Sequence, residues 1–214
     1  MGDTIVILGI NDRAALALVR YLGRANRLVH IICFREDIIT SSSRYIIGFH
    51  NVTSPKNSIN DCLEEVSSIL DVIKPTKIIP INDIWCTLCA QLEKRHFNNC
   101  QIDIDNYFKL SNKWWSLNEL RDLGLSIPES TYVDSSKVLE TIQNNSEGWV
   151  VKPIYSVVRV EDRLIQTKVR FANSLEHLKS IIDESVNICP VIVQKKVEGH
   201  GIGINVLADS GEIK

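Results

Sequence analysis

The first hundred residues alternate short apolar runs with stretches whose apolar residues recur every three or four positions. That alternation restricts the fold more than any other feature. Thr4–Ile5–Val6–Ile7–Leu8–Gly9 has no polar side chain from Ile5 to Leu8, so it reads as a strand buried on both faces. Residues 13–22 place Ala15, Leu18, Val19 and Leu22 on one helical face, and Val29–His30–Ile31–Ile32–Cys33–Phe34 is the next strand. Strand, helix, strand in that order predicts a parallel pair with a right-handed crossover. The pattern continues with a short strand at Ile46–Ile47–Gly48–Phe49 and a helix over 58–72, with Ser58 as its N-cap. A strand at Lys77–Ile78–Ile79–Pro80–Ile81 and a helix over 84–94 follow. The predicted fold of residues 1–105 is an open, mostly parallel Rossmann-like α/β sheet. Ligands of such sheets gather at the carboxyl ends of strands, which points to Asn11, to Ser43 and Arg44, and to Asp83 as substrate-facing residues.

Two familiar sites are disfavoured. A dinucleotide fingerprint needs further glycines after Gly9, and Asn11 and Ala14 stand there instead, which argues against a nicotinamide-dependent oxidoreductase. Cys86–Thr87–Leu88–Cys89 is a CxxC with no second half at zinc spacing, set inside an apolar helical pattern, so structural thiols are expected. Scattered cysteines suit a reducing, cytoplasmic setting. A net charge of −2 argues against a dedicated nucleic-acid binder. No run approaches the ~18 apolar residues of a membrane span, and no basic segment precedes an apolar core at the N-terminus.

From residue 106 the texture changes. Ser111–Asn112–Lys113 caps a helix that runs to about Leu123 and stops at Gly124, within a connecting segment over 106–128. Trp114 and Trp115 are expected as packing anchors between two domains. Over 129–214 the expected strands are 131–133, 149–152, 164–171, 191–197 and 204–207, the last entering a tight turn at Ala208–Asp209–Ser210–Gly211. Helices are expected over 136–143 and 175–182. This half reads as α+β, with helices on one face of an antiparallel sheet. Lys152 ends one strand, and Gln194 turns another polar midway. Two strands that carry polar groups into a space between them describe a slot for a polar ligand with a flat apolar part.

The order of these motifs resembles the ATP-grasp superfamily, in particular the carbamoyl-phosphate-synthase-like ATP-dependent ligases. Ser43–Arg44–Tyr45 and Ile79–Pro80–Ile81–Asn82–Asp83 look like parts of the pre-ATP-grasp domain. Asn112–Lys113–Trp114 and Leu123–Gly124–Leu125–Ser126–Ile127–Pro128 look like the entry into its nucleotide-binding part. Trp149–Val150–Val151–Lys152–Pro153 is similar to its "VVKP" strand, and Val193–Gln194–Lys195–Lys196–Val197–Glu198–Gly199 to its hinge. The resemblance implies ATP between two sheets, with Lys113 and Lys152 on the phosphates. It implies the Lys195 and Val197 backbone and the Gln194 side chain on adenine, with His200 near the ribose. It implies transfer of a phosphoryl group to a small carboxylate and attack by an amine, with Mg2+ held by ligands beyond Lys214, and it leaves room for a homodimer.

The chain departs from that pattern in four places, among them Gly201 where the family often has an acidic ribose residue and the magnesium-binding strands, which are expected beyond Lys214. Residues 154–163 contain no glycine where the family has a glycine-rich loop over the phosphates, and a stiff segment is expected. The hinge glutamate of the family is Lys195 here. The expectation is the truncated, ATP-binding front part of a ligase, inactive alone. The alternative is a non-catalytic nucleotide-binding or interaction module of degenerate ATP-grasp fold.

Overall fold

The computed structural model describes residues 3–9, 13–34, 42–92, 96, 98–100, 102–135, 142 and 147–214. Strands β1 (Thr4–Leu8), β2 (Leu28–Cys33), β3 (Ile46–Asn51) and β4 (Lys77–Pro80) form one parallel sheet in the order β3-β2-β1-β4. The apolar runs end up in the middle: Val6 and Ile7 of β1 point to opposite faces and both are fully buried. Helix α1 (Arg13–Arg24) covers one face, where Val19 meets Ile7, Val29 and Ile31. Helices α2 (Ile59–Ile73) and α3 (Asp83–Cys89) cover the other, packing Val66, Leu70, Trp85 and Leu88 onto Val6, Leu8 and Ile32. Each buried aliphatic side chain here contributes about 1.5–3 kcal/mol. The expected α/β sheet is therefore observed, with Ser58 as the N-cap of α2, its oxygen accepting from Asp61 N at 3.1 Å.

Two short helices lead out of this unit: α4 (Ile104–Ser111) and α5 (Lys113–Asp122). Asn112 joins them. Its Oδ1 accepts from the backbone N–H groups of Trp114 (3.0 Å) and Trp115 (3.1 Å), which starts α5. Gly124 ends it at φ +77, with Leu125 N bonded back to Leu120 O.

The second sheet runs β5-β10-β6-β9, all antiparallel, from β5 (Ser130–Val133), β6 (Trp149–Pro153), β9 (Arg170–Ala172) and β10 (Val191–Lys195). Its burial alternates along β6, so Trp149 and Val151 face helix α6 (Leu175–Val186) and its Leu178, Ile181 and Ile182. Helix on one face of an antiparallel sheet is the arrangement the pattern predicted. The helix expected over 136–143 falls mostly outside the described residues.

Residues 157–166 depart from expectation. In place of a stiff loop they form a hairpin, β7 (Val157–Val160) and β8 (Arg163–Gln166), turning at Glu161 with φ 53. The strand expected over 164–171 therefore splits into β8 and β9. The hairpin packs onto the first sheet's α2 layer. Leu164 is 2% exposed among Ile59, Cys62 and Trp85 of that core cluster, and its N–H donates to Pro55 O at 2.8 Å. At the tip, Asp162 O accepts from Ile59 N (2.8 Å), and its carboxylate accepts from Ser58 Oγ (2.8 Å) and Asn60 N (3.1 Å). Arg159 Nη1 donates to Gln91 Oε1 at 2.6 Å.

The strand expected over 204–207 is not formed. Residues 200–207 are exposed and irregular, and only β11 (Ala208–Asp209) and β12 (Glu212–Ile213) pair, around Ser210 and Gly211 at φ 54 and 84. Ile204 and Val206 have the alternation of a strand, but no neighbouring strand among the described residues supplies the ladder bonds.

Candidate functional site

The site grows from the junction between α4–α5 and the end of β6. Asn112 Nδ2 donates to Tyr155 OH at 3.1 Å, and Lys113 N donates to Ile154 O at 2.9 Å. These bonds tie the first residue of α5 to the two residues that follow β6. Lys113 is thereby half-buried, and its Nζ donates to Ser156 Oγ at 3.0 Å. Burial lowers the Lys113 pKa, and the nearby charge of Lys152 lowers it further, while Asp83 and Cys189 oppose both. The two lysines, 39 positions apart (152 − 113), come from elements that the bond from Lys113 N to Ile154 O joins, since Ile154 lies two residues past Lys152.

Lys152 pairs with Ile192 across the β6–β10 ladder, and Val150 pairs with Gln194. Directly paired antiparallel residues share a face, so Val150, Lys152, Ile192 and Gln194 line the side away from α6, with Tyr132 and Ser130 beside them on β5. Gln194 is 3% exposed, and its Nε2 donates to Ser130 Oγ at 2.8 Å, which leaves the amide oxygen for another donor. Trp114 leans on Tyr132 with ring centroids 5.5 Å apart, closing one end of this face. The result is a largely apolar face with a buried amide on it and Lys152 near its end.

The other expected residues fall differently. Lys195 lies opposite Trp149, on the α6 side, and its N–H is already donated to Glu129 O at 3.2 Å, so only its carbonyl remains for a ligand. Val197 (68% exposed) and His200 lie on the exposed coil after β10. Asn11 is outside the described residues. Ser43 and Arg44 do not sit where the strand-end rule was expected to put them. They precede β3 and lie with Tyr45 near Arg24 at the end of α1, which is the amino edge of the parallel sheet. There Arg44 Nη2 donates to Tyr45 OH at 3.0 Å. The physical reason is direction: in a parallel sheet, a residue that enters a strand is on the opposite edge from one that leaves it. Asp83 does leave a strand. It opens α3 just after Asn82, whose Oδ1 caps Trp85 N at 3.0 Å, and Trp85 Nε1 in turn donates to Gly9 O at 2.9 Å.

Asp83 and Lys113 face a common cavity of about 240 Å³, which Thr87, Tyr107, Phe108 and Ser156 help to wall. Tyr107 and Ser156 were not singled out from sequence. Their only signal is position, one on the helix before Asn112 and the other just past the strand that ends in Lys152. Among the described residues no group of three or more His, Cys, Asp or Glu side chains could hold a metal ion, and no helix is long and apolar enough to cross a membrane. All six cysteines are free thiols.

With this geometry the chain has the fold of part of the ATP-grasp ligases, as the motif order implied. An L-amino acid ligase from Bacillus licheniformis superposes with a TM-score of 0.66 at 10% identity, over 92% of this chain and 45% of its own. N5-carboxyaminoimidazole synthetase from Staphylococcus aureus, solved with ADP, gives 0.61 at 13% identity, over 92% and 48%. The biotin carboxylase domain of a 2-oxoglutarate carboxylase from Hydrogenobacter thermophilus, solved with MgADP and bicarbonate, gives 0.60 at 11% identity, over 92% and 45%. The chain spans about half the length of these structures. No protein-family model matches the sequence, and no curated protein matches it. At such identities the likeness is one of fold.

Proposed function

We propose that this chain is the ATP-binding front part of an ATP-dependent carboxylate–amine ligase. The observation that carries the reading is the bond from Lys113 N to Ile154 O at 2.9 Å, which ties Lys113 two residues past Lys152 on the Val150–Ile192–Gln194 face. One of the two ammonium groups, that of Lys113, is half-buried at some cost in desolvation. Such a pair is stabilised when a polyphosphate neutralises it. Gln194, with a free amide oxygen on an apolar wall, suits the amino edge of adenine, and the Lys195 carbonyl is a second acceptor. In this reading the γ-phosphoryl passes to a carboxylate, and an amine then displaces phosphate from the acylphosphate. The lysines stabilise the charge that spreads over the transferring group. Among the described residues no group of three or more His, Cys, Asp or Glu could hold Mg2+. The domain division that goes with this reading is 1–105, 106–128 and 129–214, in a cytoplasmic protein that acts on a small carboxylate.

The test is calorimetric titration with Mg-ATP and ADP, beside Lys113→Ala and Lys152→Ala. Saturable binding that either alanine weakens by about tenfold or more supports the reading. Binding that neither change affects overturns the placement. The second reading, a non-catalytic nucleotide-binding or interaction module, is favoured by the hairpin. The segment that would close over phosphates is bonded through Asp162 to the N-terminus of α2 instead. Nucleotide binding without acylphosphate formation in the full reading frame would select it.

A further inference from the structure

We infer that Tyr155 is a positioning residue for Lys113: its hydroxyl fastens the start of α5 to the residues after β6 and so sets where the Lys113 ammonium stands. Hydrophobic packing does not fix Lys113. Neither α4 nor α5 has a buried residue, so neither helix carries an apolar anchor of its own. Trp114, which leans on Tyr132, is itself only half-buried. Bonds to three consecutive residues hold Lys113 instead: Lys113 N to Ile154 O at 2.9 Å, Asn112 Nδ2 to Tyr155 OH at 3.1 Å, and Lys113 Nζ to Ser156 Oγ at 3.0 Å.

The segment that receives these bonds is anchored from behind. Ile154 is buried, and its N–H donates to Pro190 O at 3.0 Å. Tyr155 O accepts from Thr167 Oγ1 at 2.6 Å, and Ser156 O accepts from Thr167 N at 3.0 Å. On the other side, the Asn112 amide is fixed by its own oxygen, which accepts from Trp114 N and Trp115 N. That leaves Nδ2 aimed at Tyr155 OH, so one side chain both starts α5 and ties that start to the second sheet. A helix start held at one atom can pivot about it, and one held at two cannot. The bond from Lys113 N is one hold. The Asn112–Tyr155 bond is the other, made one residue earlier, where the backbone is still extended. The Ser156 bond is made by the ammonium itself and gives way when a ligand takes its place.

In the ATP-binding reading, on which the affinity measurement alone rests, Tyr155 touches no nucleotide and acts through Lys113. A cation displaced by about 1 Å loses much of what it contributes at a phosphate, so a hydroxyl outside the site still governs affinity.

The experiment compares the unaltered chain with Tyr155→Phe and Asn112→Ser. Serine caps a helix as well as asparagine does but has no amide donor, so it breaks the same bond and keeps the helix start. Hydrogen exchange of the Lys113 amide is measured first, without ligand. Both variants are expected to speed it by about tenfold, the equivalent of one hydrogen bond, with the amides of α2 unchanged. Titration with Mg-ATP follows, in a double-mutant cycle with Lys113→Ala. Tyr155→Phe alone is expected to weaken Mg-ATP by about fivefold, and to add nothing once Lys113 is alanine. Unchanged exchange at Lys113 overturns the proposal. So does a Tyr155→Phe loss that adds in full to that of Lys113→Ala. Quickened exchange at Lys113 in a chain that binds no nucleotide supports the fastening by Tyr155 and sinks the ATP-binding reading, so the two failures show separately.

Discussion

Ser58 Oγ donates to the Asp162 carboxylate at 2.8 Å across 104 positions of sequence, and the same oxygen accepts from Asp61 N at 3.1 Å. One hydroxyl therefore starts helix α2 and fastens the tip of the β7–β8 hairpin to it. Asp162 adds a negative charge at the helix N-terminus, where it is favourable.

Asp162→Ala is expected to cost about 0.5–2 kcal/mol, the range for losing a side-chain acceptor at a helix N-terminus. Leu164→Ala, beneath it, is expected to cost about 2–5 kcal/mol, because it empties a buried site in the α2 layer. Urea unfolding followed by tryptophan fluorescence checks both. A Leu164→Ala loss well under 1 kcal/mol would mean that the hairpin does not dock in solution.

The pair His30 and His50, with Nδ1 and Nε2 3.2 Å apart on β2 and β3, makes stability depend on pH. Burial lowers the pKa of both below 6.5, and for His30 the charge of His50 adds to the effect. The folded state thus resists protonation more than the unfolded chain does. Stability is whole above pH 6.5, falls as the pH drops from there towards the lowered folded values, and levels off below them. Denaturation midpoints measured at neutral and at mildly acid pH should show this loss, and His50→Gln should shrink it. Gly48→Ala should mimic acid at any pH, since a Cβ there would lie 2.2 Å from His30 Nδ1.

Gln194 is expected to choose the base. Its Nε2 is held by Ser130, so its oxygen is the atom offered to a ligand. That oxygen suits the amino group of adenine and opposes the carbonyl of guanine. Parallel titrations should show Mg-ATP bound more tightly than Mg-GTP, with Gln194→Ala narrowing the gap by about tenfold. Equal affinities in the unaltered protein would move the base elsewhere.

Burial pushes the Cys62 thiol up to about 12 and Cys86 up to about 11. Thiolate is the reactive form, so neither should be alkylated at neutral pH while the chain is folded. Iodoacetamide labelling read by mass spectrometry is expected to spare both, and to reach all six cysteines only in denaturant.

Some of this arrangement was legible in the residues themselves. Unbroken runs such as Ile5–Val6–Ile7–Leu8 have one cheap solution, a strand covered on both sides, and Ser58 before an amphipathic run has one good role. Lys113 and Lys152 were legible as cations at element ends, but the junction of their elements depends on Asn112 binding Tyr155, a contact that no local pattern encodes. Arg44 was misplaced because a count along the chain ignores strand direction. The hairpin was missed because its turn uses Glu161 at φ 53 where glycine or asparagine would announce it. The segment 204–207 was overread because alternation alone does not supply a partner strand.

Leu164 belongs to one sheet by chain order and to the other by packing. No cut between the two leaves both whole: the first would keep a leucine-sized hole, and the second would carry a bare apolar prong into water. The halves are therefore expected to travel as a single heritable unit. A chimaera that borrows either half from a relative must also borrow, or rebuild, the match between Ser58, Pro55 and the 162–164 tip.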